Sequence, residues 1–169
     1  MSRFIDLLEK AGQQPPDPLG FARASGGQGV SPQVILVARL LPKDLAKEPG
    51  LAEANVDAFV VALDWEELDA LADGLRERLW GVRLEKFSSA QVRQLMGKGC
   101  DFIVFESMDT EGAVLNEEDL GTVVTLSSDL PEEILRSTCE LPVDGVLFSL
   151  AQRALPLTVE GLAAIQRVR

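Results

Sequence analysis

Three segments of this chain are near-copies of one another: Val56-Asp57-Ala58-Phe59-Val60-Val61, Cys100-Asp101-Phe102-Ile103-Val104-Phe105 and Val143-Asp144-Gly145-Val146-Leu147-Phe148. Their aspartates stand 44 residues apart from 57 to 101 and 43 apart from 101 to 144. Between them fall further apolar runs, Val34 to Val37, Trp80 to Leu84 and Val123 to Leu126. A strand-length apolar segment therefore returns about every 20–24 residues, with helix-like sequence in between. No other feature constrains the fold as strongly. Repeated βα units bury short strands, which pair in parallel and carry their helices outside.

Seven strands are expected, at 19–24, 34–40, 58–63, 80–85, 102–106, 122–127 and 145–149. Phe4, Ile5, Leu8 and Ala11 share one helical face, with Ser2 as N-cap and Gly12 as the stop. The segment Gln13 to Pro18 holds three prolines that a helix cannot cross. The expected organisation is thus an amphipathic helix over 1–12, a Pro-rich linker over 13–18 and a single α/β domain over 19–169. Within that domain, Leu68, Leu71, Leu75 and Leu79 space out a helix face. Ser88 opens a helix that runs through Val92, Leu95 and Met96 and stops at Gly97 and Gly99. Asp129 opens another with Ile134, Leu135 and Thr138 inward, and Thr158 opens the last.

This βα rhythm, with Asp57, Asp101 and Asp144 at the starts of strands, resembles the (β/α)8, or TIM, barrel superfamily. The resemblance implies a parallel barrel whose ligands meet the C-terminal ends of the strands, while the strand starts serve stability. A closed barrel of that kind has eight strands, one more than this chain supplies, so the fold reads as an incomplete TIM-barrel-like array. A flavodoxin-like doubly wound sheet is the alternative, since it also alternates strand and helix at this length. An open parallel edge invites association, and a homodimer is the expected assembly, using the open edge and the N-terminal helix.

Charge and composition narrow the chemistry. A formal net charge of −11 disfavours nucleic acid and anionic membrane surfaces as partners. The apolar runs are well short of the ~20 residues of a membrane span. The N-terminus lacks the pattern of a signal peptide, so a cytoplasmic location is expected, with Cys100 and Cys139 as reduced, buried thiols. The chain has no histidine and no tyrosine. A His-ligated metal, a Ser-His-Asp triad and a Cys-His dyad are thereby excluded.

At the predicted strand ends stand Arg39, Asp64, Glu85, Lys86, Glu106, Ser127 and Ser149. Asp64 precedes Glu67 by three residues, as Asp129 precedes Glu132, which is capping-box spacing. Arg83 and Glu85 alternate with Val82 and Leu84, so one face of that strand carries charge, and charges inside a barrel must pair or meet a ligand. Lys86 with Glu85 and Glu106 is the candidate catalytic set for a small-molecule lyase or aldolase, through a Schiff base. Neighbouring carboxylates oppose the low pKa that step needs and favour a plain ion pair. Arg39, Asp64, Ser127 and Ser149 are the candidate ligand-binding residues. Glu85, Glu106 and Asp64 also form an oxygen set suited to Mg²⁺. Gly26-Gly27-Gln28-Gly29 lacks the lysine and hydroxyl of a P-loop and reads as a loop. The leading expectation is a non-catalytic, self-associating barrel-like protein, with the lyase and the Mg²⁺-dependent enzyme as alternatives and no cofactor specified.

Overall fold

A computed structural model describes residues 2–13, 35–41, 43, 49–62, 65–106, 108–127 and 130–149. Six strands form one sheet: β1 (Val37–Leu40), β2 (Ala58–Ala62), β3 (Trp80–Leu84), β4 (Phe102–Phe105), β5 (Gly121–Ser127) and β6 (Gly145–Ser149). Each is parallel to the next, and their spatial order is their order in the chain. A doubly wound sheet requires the order to reverse. No reversal occurs among the described strands, so the flavodoxin-like alternative is set aside. The fold is α/β, an incomplete βα array curled into a half-barrel. The expected strand over 19–24, the Gly26–Gly29 loop, Asp64, Asp129 and the helix from Thr158 lie outside the described residues.

Strand alternation sorts the apolar residues into two layers. On the convex side Phe59, Val61, Trp80, Val82, Ile103, Phe105, Val124 and Leu126 are buried in one cluster with Leu68, Leu71, Val92, Leu95 and Leu135. Those partners come from α2 (Leu68–Gly74), α3 (Ser89–Gly97) and α4 (Glu132–Cys139). Local signals set the helix limits. Ser88 accepts a hydrogen bond from the Gln91 N–H while the Gln91 side chain accepts one from the Ser88 N–H, a complete capping box. Gly99 leaves the helix with φ of +86°, a conformation that favours glycine.

The concave side is occupied by α1 (Arg3–Gly12). Phe4 and Ile5 are buried there with Ala58, Phe102, Val104 and Val123, and Leu8, Val60 and Leu79 pack alongside. The Phe4 and Phe102 rings stack with centroids 3.9 Å apart. Two glycines make the seat. A Cβ at Gly121 would stand 2.7 Å from Ser2 Oγ, and one at Gly81 would stand 2.5 Å from the Phe102 ring.

The three aspartates do one backbone job and two side-chain jobs. Their N–H groups donate to the carbonyls of Leu36, Trp80 and Thr122 respectively, each at 2.9 Å. The Asp57 carboxylate accepts from the Leu36 N–H, and that of Asp144 from the Thr122 N–H and hydroxyl. Asp101 turns instead to α1, accepting from the Ser2 hydroxyl at 2.7 Å, the Phe4 N–H at 2.9 Å and the Arg3 N–H at 3.0 Å. An anion at a helix N-terminus satisfies unpaired N–H groups and complements the helix dipole.

Five expectations change. Leu79 packs with the concave cluster because α2 ends at Gly74 and the chain has already turned toward β3. Ile134 is 40% exposed, since α4 turns Leu135 and Thr138 inward instead. That helix starts at Glu132 with Pro131 as N-cap. Cys139, at its C-terminal end, is exposed rather than buried. The apolar face of α1, expected to be available for self-association, packs on its own sheet.

Candidate functional site

The C-terminal ends of the strands form the mouth of the half-barrel. Register defines which residues face it. Val60 pairs with Gly81 and Ala62 with Arg83, while Arg83 pairs with Val104 and Val104 with Val123. Val60, Val104 and Val123 belong to the concave cluster. Arg83 is therefore on the concave face, as is Arg39, which pairs with Val60. Thr125 and Leu147 follow Val123 and Gly145 on the same face, and Ser127 stands opposite Ser149.

One charge pair organises this mouth. Arg83 Nε and Nη2 both lie 2.6 Å from Glu106 Oε1. The side chains are 29% and 45% exposed, so the pair is reachable from solvent and screened by it. Glu106 is held in place from behind, its N–H donating to the Glu85 carbonyl at 3.0 Å. The apolar floor beneath raises the cost of an unpaired guanidinium, which explains why the pair forms.

Of the residues singled out in the sequence, Glu106 and Glu85 are joined through their backbones on neighbouring chain segments. Glu106 is joined to Arg83 rather than to Lys86. Glu85 and Lys86 lie beyond the end of β3 and are exposed, and Lys86 makes no ion pair among the described residues. Arg39 is exposed at the outer strand β1, and Ser127 is partly buried at the end of β5. Ser149 ends β6. Among the described residues no group of three or more His, Cys, Asp or Glu is placed to hold a metal ion. Asp64, the third carboxylate of the Mg²⁺ set, lies outside them.

Two residues gain weight that sequence reading did not give them. Arg83 is the cation that engages Glu106, and its signal was the charged alternation with Glu85. Thr125 carries a buried hydroxyl oxygen with no hydrogen-bond partner. Its signal was a lone polar residue inside Val123-Val124-Thr125-Leu126, a pattern that hydrophobicity alone reads as core. An unpaired buried hydroxyl costs about 1–3 kcal/mol.

The cysteines divide. Burial pushes the Cys100 thiol up to about 12, and its Sγ donates to the Phe102 carbonyl at 3.2 Å. It is a neutral core group rather than a nucleophile. No helix among the described residues is long and apolar enough to cross a membrane. The chain matches no protein-family model and no curated protein.

Proposed function

We propose that this chain is a non-catalytic half-barrel whose role is self-association, with a homodimer as the working assembly. The observation that carries this reading is the state of the two outer strands. Among the described residues β1 pairs only with β2, and β6 only with β5. Each outer strand exposes large apolar side chains: Leu36 at 54% and Val37 at 42% beside one edge, Val146 at 36% and Leu147 at 44% at the other. An open apolar edge is a template for pairing and is normally blunted or covered. The Cys100 thiol is buried and outside any disulfide, in keeping with a reducing compartment, and a cytoplasmic location belongs to the same reading.

Light scattering on the purified chain at micromolar concentration tests it. A particle of twice the 18.3 kDa chain mass is expected, and a monomer refutes the proposal.

The lyase reading keeps one observation in its favour, the exposure of Lys86 beside Glu85 at the mouth. It requires that borohydride trap an adduct with a carbonyl compound and that Lys86→Ala abolish the trapping while the fold is retained. Lack of any adduct across a broad carbonyl panel removes it.

A further inference from the structure

The six strands alternate between two kinds. β2, β4 and β6 each begin just after an aspartate, at Asp57, Asp101 and Asp144, while β1, β3 and β5 do not. Register is conserved through this alternation. The residue after each aspartate pairs with the preceding strand at one repeated position: Ala58 with Val37, Phe102 with Gly81, and Gly145 with Val123. Val37, Gly81 and Val123 are therefore equivalent residues of the repeat.

The junction from an aspartate strand to the next strand is equally regular. Two residues after the aspartate, Phe59 pairs with Trp80 and Ile103 pairs with Thr122, each the residue before the equivalent position. Three residues after it, Val60 pairs with Gly81 and Val104 with Val123, the equivalent positions themselves. The repeat thus contains two internal copies of this junction. A third copy would join β6 to a strand like β1.

Carrying the rule forward sets Val146 opposite Leu36 and Leu147 opposite Val37. These are the same four apolar residues that the outer strands expose. The faces agree as well. Val37 and Leu147 both lie on the concave face, and Leu36 and Val146 precede them on the convex one. We propose that β6 of one chain pairs in parallel with β1 of a second copy, in the register of the internal junctions, and that the contact made twice closes two half-barrels into one ring of parallel strands. This rests on the self-association proposed above and names its surface.

Closure favours this arrangement over its rival. An isologous contact would pair β6 with β6 and leave β1 of both chains open. The β6–β1 contact made twice leaves no edge among the described strands, and because each sheet is curled as a half-barrel its rotation closes as a two-fold ring rather than running on as a filament. The twelve described strands of two copies already make a ring wider than the eight-stranded barrel that side chains alone can fill. Each copy brings a helix, α1, onto its concave face. The same register sets Ser149 beside Arg39 of the second copy, so the mouth is incomplete in a single chain.

Cysteine cross-linking on full-length chains tests this, in a Cys139→Ser background because Cys139 is exposed while Cys100 is buried. Val37→Cys and Leu147→Cys chains are prepared separately, checked for folding by circular dichroism, mixed, and treated with a short bis-maleimide. The expected result is a covalent dimer in the mixture and in neither chain alone. The doubly substituted chain is expected to give a dimer with no ladder above it. Cross-linking of Leu147→Cys chains to each other, or a ladder of higher species, overturns the proposal. A dimer in light scattering that yields no cross-link in the mixture leaves self-association standing and removes this surface. A monomer removes both.

Discussion

Asp101 shows how one residue in a repeat is put to a second use. Its carboxylate collects three donors from the start of α1, where Asp57 and Asp144 collect donors from the neighbouring strand. Loss of a capping carboxylate costs about 0.5–2 kcal/mol. Asp101→Ala is therefore expected to lower the urea midpoint by a stability loss of about that size and to speed hydrogen exchange at the amides of α1. Unchanged exchange would mean that Phe4 and Ile5 hold the helix without the cap. Cys100 supplies a pH signature. Burial raises its thiol to about 12 from the ordinary 9.0, so the folded chain keeps a proton that the unfolded chain releases. Its contribution is whole below about pH 9 and is lost as pH climbs toward 12. Unfolding free energy is expected to fall over that window, and Cys100→Ala is expected to flatten the fall. The chain has no tyrosine to add an alkaline titration of its own.

At the scale of elements, α1 and the glycines beneath it are one device. A helix approaches a sheet this closely only where side chains are missing, and Gly121 lies under Ser2 and Ile5. Gly121→Ala is expected to cost about 1–3 kcal/mol by overpacking, read from denaturant midpoints. Gly145→Ala, whose added Cβ would meet Val123 at an ordinary 3.5 Å, is expected to be far milder. Equal costs would mean that α1 yields to the added methyl. Helix limits follow local chemistry where a cap exists, as at Ser88. At α4, where Pro131 occupies the N-cap without a side-chain hydrogen bond, the inward face was misjudged by one residue at Ile134. Ile134 and Leu135 are adjacent apolar residues about 100° apart around the helix, and packing on the sheet, which buries Leu135 with Thr138, decides which of the two turns inward.

The whole molecule is a sheet without closure among its described strands, and that shapes its thermodynamics. If two copies complete the ring, folding and association are linked, and the melting temperature rises with chain concentration. Calorimetry across a hundredfold concentration range is expected to show that rise, and a constant value would fit a folded monomer. Leu147→Lys is expected to lower the melting temperature and remove its concentration dependence, because it places a charge on the concave side of the proposed contact.

The repeat of apolar segments and aspartates was enough to determine strands, parallel pairing and the βα order, because period and spacing are local properties of the chain. Helix starts at Ser2 and Ser88 were legible for the same reason: a cap and its donor sit three residues apart. The site was not. Glu106 meets Arg83 rather than Lys86 because β3 ends at Leu84, leaving Arg83 on the concave face and Lys86 beyond the strand. Thr125 is stranded because its neighbours on that face come from other strands. The destination of α1, too, depended on Phe102, Gly81 and Gly121, which lie about 70 to 120 residues away along the chain. Contacts across such separations are decided by which faces the folded sheet brings together, and no window of sequence contains both partners.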